Sequence, residues 1–341
     1  MTLETPMHTP TLNQTTALVL ETNNLRGDAK AGRIPTSLGR LLRHLRHQTR
    51  PVDELVITHD GLDDAQRTLL CESAGRAVRF VELPADTGYY EAKNLGFAAT
   101  TTEVVAFGDA DCWPDARWLE RLLAPFDDPG VDVVSGRTTY RPDVLGTAAT
   151  AIDFIYFPSP LGPGCVRNFY ANNVAFRRST FDAYRYEPAR GVYRGHCQLL
   201  GLRLQKDGVA VRFEPGARTF HRFPDRRRQL LELRLLRGAD ATELGPTLVS
   251  TYAPRLRWLN RLGPVTPLVV LGARFVASLR HLGRQDLPAR TGLERVVCVG
   301  AVAGLSLADA AGAVARSVGL GAARDDAHAL AYHGDRDRLA A

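Results

Sequence analysis

The chain predicts an α/β fold, with a mainly parallel sheet covered by helices on both faces and a helical C-terminal extension. Two observations carry this. From Thr16 to Gly108, short apolar runs rich in β-branched residues alternate with leucine-periodic segments, the pattern of parallel strands joined by crossover helices. After Arg222 the alternation stops, and one basic amphipathic segment and two apolar stretches follow.

Thr16 to Leu20 reads TALVL, a buried parallel strand, and opens into the polar run Glu21-Thr22-Asn23-Asn24. Ser37 to Arg46 repeats leucine at helical spacing, with arginines and His44 on the other face. Pro51 then precedes a second strand at Glu54 to Thr58. The alternation continues with a helix near Asp64 to Ala74, a strand at Val78 to Leu83, a helix near Tyr90 to Thr100 and a strand at Glu103 to Gly108. In such sheets ligands bind beyond the carboxyl ends of the strands. The residues that matter are therefore Glu21 to Asn24, Asp60 and Asp109 to Asp111.

Asp225 to Arg237 (DRRRQLLELRLLR) joins a leucine face to five arginines. That suits a helix on an anionic membrane surface, and equally a helix packed on the first domain with its arginines in solvent. Val265 to Leu279 and Val296 to Ala308 are apolar but fall short of the ~20 residues that span a bilayer. Interfacial, re-entrant and buried-helix readings all fit them. The expected organisation is a disordered tail at 1–14, the α/β domain at 15–224, a helical, membrane-associated region at 225–321 and a loose polar tail at 322–341.

The hydrophobic fraction of 45% and charged fraction of 23% are those of a folded protein. A net charge of +6 favours anionic partners. Nucleic acid is set aside, because no zinc-finger spacing, RNA-recognition signature or basic stripe interleaved with aromatics is present. Five scattered cysteines, none spaced as CxxC, argue against a disulfide framework or a structural zinc site and fit a reducing cytoplasm. The polar, Thr-rich start lacks the features of a secretory signal, so the expected location is cytoplasmic, at the inner face of the cell membrane.

The most informative segment is Ala106 to Trp118 (AFGDADCWPDARW). Asp109 and Asp111 lie two apart at a strand end, so both carboxylates can face one site. Their hard oxygens suit Mn²⁺ or Mg²⁺ beside a diphosphate. An ordinary acidic turn after a strand fits the same residues.

Gly88 to Gly96 (GYYEAKNLG), Glu103 to Asp111, Trp113-Pro114 and Trp118-Leu119 together resemble the central block of the family 2 glycosyltransferases, which have the GT-A fold. The resemblance extends to the ends of the first two strands, Glu21-Thr22 and His59-Asp60-Gly61, to Asn172 to Arg178, and to Pro215 to His221. It implies transfer of a sugar from a nucleoside-diphosphate sugar to an acceptor hydroxyl, with inversion and a divalent metal. It further implies that Glu21, Thr22, Asp60, Lys93, Asn94 and Asp109 serve the donor, Asn172 and Asn173 the acceptor side, and Asp111, Asp109 and His221 the metal. A solvated Lys93 and a helix-internal Asn94 remain open alternatives.

One departure stands out. The family's helix begins with Gly-Glu-Asp and carries the catalytic base, whereas this chain reads Gly195-His196-Cys197-Gln198. Histidine titrates near 6.5, so His196 is the candidate base, with Asp153 or Glu187 as carboxylate alternatives. A binding protein that has lost its chemistry is the first rival. A nucleotidyltransferase-like enzyme is the second, though it would ordinarily place a Gly-rich basic loop after the first strand, where this chain has Glu21 to Asn24. The acceptor stays unspecified between a glycan and a lipid-linked molecule.

Overall fold

The computed structural model describes residues 14–23, 34–224, 226–283 and 291–320. The tails expected at 1–14 and 322–341 fall outside them, apart from Gln14.

Among the described residues, nine strands form one sheet in the order β3-β2-β1-β4-β8-β6-β9-β5, with β7 paired to β9. The first half follows the sequence expectation. Strands β1 (Thr16–Glu21), β2 (Glu54–His59), β3 (Arg79–Glu82) and β4 (Val104–Asp109) are parallel neighbours, separated in the chain by helices α1 (Ile34–Arg46), α2 (Asp64–Ala74) and α3 (Tyr89–Ala98). Alternate strand residues serve opposite faces: Ala17, Val19, Val105 and Phe107 join one core, while Leu18, Leu20, Val104 and Ala106 join the other with Leu38, Leu41 and Leu42 of α1. Helix α3 lies tightly on β1 and β2 because Gly96 has no side chain. A Cβ there would stand 2.5 Å from Cγ1 of Val19.

The second half adds reversed strands, so the sheet is mixed while most of its strands keep one direction. Strand β8 (Asn173–Arg177) inserts antiparallel between β4 and β6 (Val133–Thr139). Strands β5 (Cys112–Pro114) and β7 (Cys165–Val166) both run antiparallel to β9 (Val211–His221), and only β6 with β9 is parallel. The sheet is mixed, because beyond β4 the chain returns through short helices and loops rather than repeated crossovers. Those helices are α4 (Trp118–Leu123), α5 (Val144–Asp153), α6 (Arg178–Ala183) and α7 (His196–Lys206).

Three long helices follow: α8 (Arg227–Tyr252), α9 (Val265–Leu282) and α10 (Gly292–Ser317). Buried ion pairs bind them to the sheet domain. Arg234 of α8 donates to Asp153 at the end of α5 (2.6 Å) and to Asp309 of α10 (2.7 Å), and Arg237 also pairs with Asp153. The apolar stretches are longer as helices than the sequence runs suggested. Helix α10 has 26 residues, or ~39 Å at 1.5 Å per residue, so its length alone would cross a bilayer.

Candidate active site

The site forms where β1 and β4 end side by side, with Glu21 paired in register to Asp109. Asp109 is buried and receives two partners from one face of α3. Tyr89 donates its hydroxyl to both carboxylate oxygens (2.9 and 2.8 Å), and Lys93, one turn on, donates to Oδ1 (2.7 Å) and to the Gly108 carbonyl (2.9 Å). Glu21 lies alongside, fully buried, and accepts the Asn23 amide at 2.7 Å. Burial, and then the charge of Asp109, pushes its carboxyl well above the ordinary range. Arg194, in the loop before α7, stacks its guanidinium over Tyr89 at 4.4 Å. Tyr89 and Arg194 were not singled out in the sequence. The i, i+4 spacing of Tyr89 and Lys93 was the available signal for the tyrosine.

Asp111 follows in the turn between β4 and β5. Its ligand oxygen, one from Asp109, Nε2 or Nδ1 of His221 and Sγ of Cys112 lie within 4.8 Å of one another. Backbone pairing sets this, because Cys112 of β5 is the register partner of His221 on β9. His221 Nδ1 lies 2.8 Å from the Arg222 carbonyl, which can only accept, so Nδ1 carries a proton, and Nε2 faces Asp111 Oδ2, 3.8 Å away. Burial, and then Asp111, raises the Cys112 thiol well above its ordinary pKa, so it stays a neutral thiol. Two hard carboxylates and one oriented imidazole fit Mn²⁺ or Mg²⁺.

Of the other donor-side candidates, Thr22 donates to the Thr58 carbonyl (2.9 Å) and pins β1 to β2, and Asp60 is half-buried just past β2. Lys93 is completely buried beneath Asp109, so the solvated reading fails for it. Asn94 donates to Glu91 of its own helix (3.1 Å) and, outside the helix, to the Tyr186 carbonyl (2.9 Å). Asn172 and Asn173 part ways. Asn172 lines the cavity described below, whereas Asn173 is buried between Trp118, Arg137 and Ala217, where it knits β8 to β6 and β9.

His196 begins α7, buried and stacked on Tyr90 with ring centroids 4.2 Å apart. Of the carboxylate alternatives, Asp153 is corrected. Burial alone would raise its pKa, but Arg234, Arg237 and Arg274 outweigh burial and hold it well below the usual range, unfit to take a proton. Glu187 is exposed and paired with Arg203.

A cavity of about 780 Å³ runs from Asp109 and His221 between α5, the 154–172 loop, α7, α8 and α9. Asp240 of α8 stands on its wall. Its two oxygens accept the amides of Tyr193 (2.6 Å) and Arg194 (2.9 Å), immediately before α7. Burial, partly offset by those two amides and by Arg194 and Arg237, pushes its pKa up to about 6. No sequence pattern marked it, because it stands on a helix 44 residues after His196.

Residues 33–191 match the model for glycosyl transferase family 2. Over 220 residues the chain is 26% identical to a pre-mycofactocin glycosyltransferase of Mycobacterium tuberculosis, covering 58% of this chain and 46% of that one. It is 30% identical over 159 residues to the Bacillus subtilis protein described as putative glycosyltransferase EpsH, covering 44% and 46%. The chain thus spans less than half the length of these curated relatives. Among solved structures, mannosyltransferase PcManGT from Pyrobaculum calidifontis, in complex with GDP-Man and Mn²⁺, superimposes with a TM-score of 0.58 at 16% identity, over 92% of this chain and 91% of that one. That similarity is one of fold, and it takes in the C-terminal helices. Residues 33–191 thus resemble glycosyl transferase family 2, in a chain whose fold is that of the GT-A glycosyltransferases.

Proposed function

We propose that the chain moves a sugar from a nucleoside-diphosphate sugar to an acceptor hydroxyl, with inversion at the anomeric carbon. The observation that carries this is the convergence of Asp109, Asp111 and the Nε2 side of His221 at the carboxyl end of β4, on the rim of a large cavity. Bound by these three residues, Mn²⁺ or Mg²⁺ would neutralise the charge that gathers on the departing diphosphate. Lys93 and Tyr89 hold Asp109 in place from below, and Arg194 adds a positive charge beside it. The acceptor oxygen forms the new bond to the anomeric carbon, the bond from that carbon to the phosphate oxygen breaks, and the diphosphate leaves with the electron pair.

The acceptor's proton must pass to a side chain on the cavity wall. His196, the base expected from the sequence, is covered by Tyr90, while Asp240 faces the cavity and titrates near pH 6. Asp240 is therefore the favoured base. It is a carboxylate brought from α8 to the loop where the family pattern has carboxylates at the start of α7.

The test is release of nucleoside diphosphate from UDP-, GDP- and dTDP-sugars with Mn²⁺, for wild type, Asp111→Ala, Asp240→Asn and His196→Ala. Metal-dependent turnover that Asp111→Ala abolishes supports the transferase. A loss of ~10² or more in Asp240→Asn but not in His196→Ala assigns the base. Asp111-dependent binding of nucleotide without turnover of any donor would sink the reading in favour of a binding protein.

A further inference from the structure

We infer that the acceptor hydroxyl is carried by an amphipathic lipid with an anionic head, whose chain occupies the cavity and enters it from a membrane surface. This rests on the transfer reading above and goes beyond it by giving the acceptor a class. The cavity has two unlike ends. One is polar and holds Asp109 and His221. The other is walled by Leu248, Val249, Leu256, Leu259, Val269 and Val270, from α8, α9 and the turn between them. A sugar hydroxyl gains nothing from such a wall, whereas each methylene of a lipid chain buried there gains ~0.8 kcal/mol.

The apolar end opens to the outside. Leu256 and Val269 line the cavity and yet are 44% and 39% exposed. Around them, Trp258, Leu262, Val265 and Leu268 are exposed as well, and Arg255, Arg257 and Arg261 are exposed on the same turn. Apolar side chains, a tryptophan and arginines on one short segment are the make-up of a surface that rests in the headgroup layer of an anionic bilayer. Helix α9 and helix α10 extend it. Both are apolar enough for a bilayer, and only 28% and 33% of their most apolar windows are buried against the protein. The cavity is thus a passage from that surface to the acidic site. Four arginines on its wall, Arg167, Arg194, Arg237 and Arg274, outnumber the carboxylates Asp109, Asp153 and Asp240 there and favour a lipid whose head is negatively charged.

The experiment uses the full chain and a long-chain alkyl phosphate carrying a diazirine in the middle of its chain, irradiated with the protein and mapped by peptide mass spectrometry. Labelling should fall on the segments around Leu248 to Leu259 and Val269 to Arg274, and unlabelled lipid should compete it away. Val270→Trp, which fills the passage, should lower that labelling about tenfold while circular dichroism and melting temperature report an intact fold. Should Val270→Trp fail to fold, competition on the wild type by alkyl phosphates of increasing chain length gives the same answer, since affinity should rise with length. Labelling confined to the outer faces of α9 and α10, or competition indifferent to chain length, would overturn the inference. Labelling of the passage by a protein that releases no diphosphate from any donor would uphold the lipid site and remove the transfer reading alone.

Discussion

Lys93 is a residue whose meaning changed between sequence and structure. It stands fully buried in an ion pair with Asp109 (2.7 Å), and its charge also acts on the buried carboxyl of Glu21. Replacing it by methionine leaves those acids uncompensated, so Lys93→Met should destabilise the metal-free protein by ~3–5 kcal/mol. Mn²⁺ supplies the missing positive charge, so it should raise the melting temperature of Lys93→Met more than that of wild type, and not at all in Asp111→Ala. A melting series with and without Mn²⁺ checks this. Asp240 carries a pH prediction. Its native pKa lies about 2 units above the ordinary 3.8, so the folded state holds its proton more tightly than the unfolded chain. Stability is therefore lost as pH rises from ~4 through ~6, by roughly 3 kcal/mol in total, and the penalty is complete above that window. Tyr193 and Arg194 from the loop and Arg237 from its own helix are the groups that face it. Denaturant unfolding at several pH values should show wild type falling relative to Asp240→Asn across that window. The acidic pair and His221 were legible because their spacing and their places at strand ends are local properties. Asp240 was not, since only the packing of α8 brings it to α7.

At the scale of elements, the β-α-β half was readable because each strand and helix carries its own periodicity. The reversal of β8 was not, because an antiparallel strand buried on both faces, such as Asn173–Arg177, reads like a parallel one. Helix α8 was read as amphipathic with its arginines in solvent or on lipid. Arg226, Arg227 and Arg228 are indeed exposed, but Arg234 is buried between Asp153 and Asp309. Sequence periodicity cannot separate a buried paired arginine from a solvated one. Helices α8 and α10 cross closely because glycines meet backbone: a Cβ at Gly238 would stand 1.9 Å from the Asp309 carbonyl oxygen, and one at Gly312 2.2 Å from that of Leu235. Gly312→Val should push the helices apart and loosen the Arg234–Asp309 pair, costing several kcal/mol. A drop in melting temperature with faster hydrogen exchange in both helices would register it, and an unchanged protection pattern would refute it.

For the whole molecule, the exposed turn at 254–262 and the outer faces of α9 and α10 make one side apolar and basic. In sedimentation with vesicles, the protein should bind anionic bilayers more tightly than neutral ones and lose that preference with added salt. Changing Arg255, Arg257 and Arg261 together to glutamate should weaken binding to anionic vesicles by ~100-fold or more, at ~1 kcal/mol for each arginine lost. Equal binding of both proteins would place the contact elsewhere. The chain's arrangement also determines what can be cut away. His221 is the last residue of β9 and α8 begins at Arg227, so the imidazole beside the acidic pair and the helical region hang on a single short tether. A protein shortened after Arg222 would keep the nine strands, yet it would strip Asp153 of Arg234 and Arg237, and it would leave the cavity open to bulk water. The helices that look like an appendage are one wall of the cavity, and the sheet domain alone is half of a vessel.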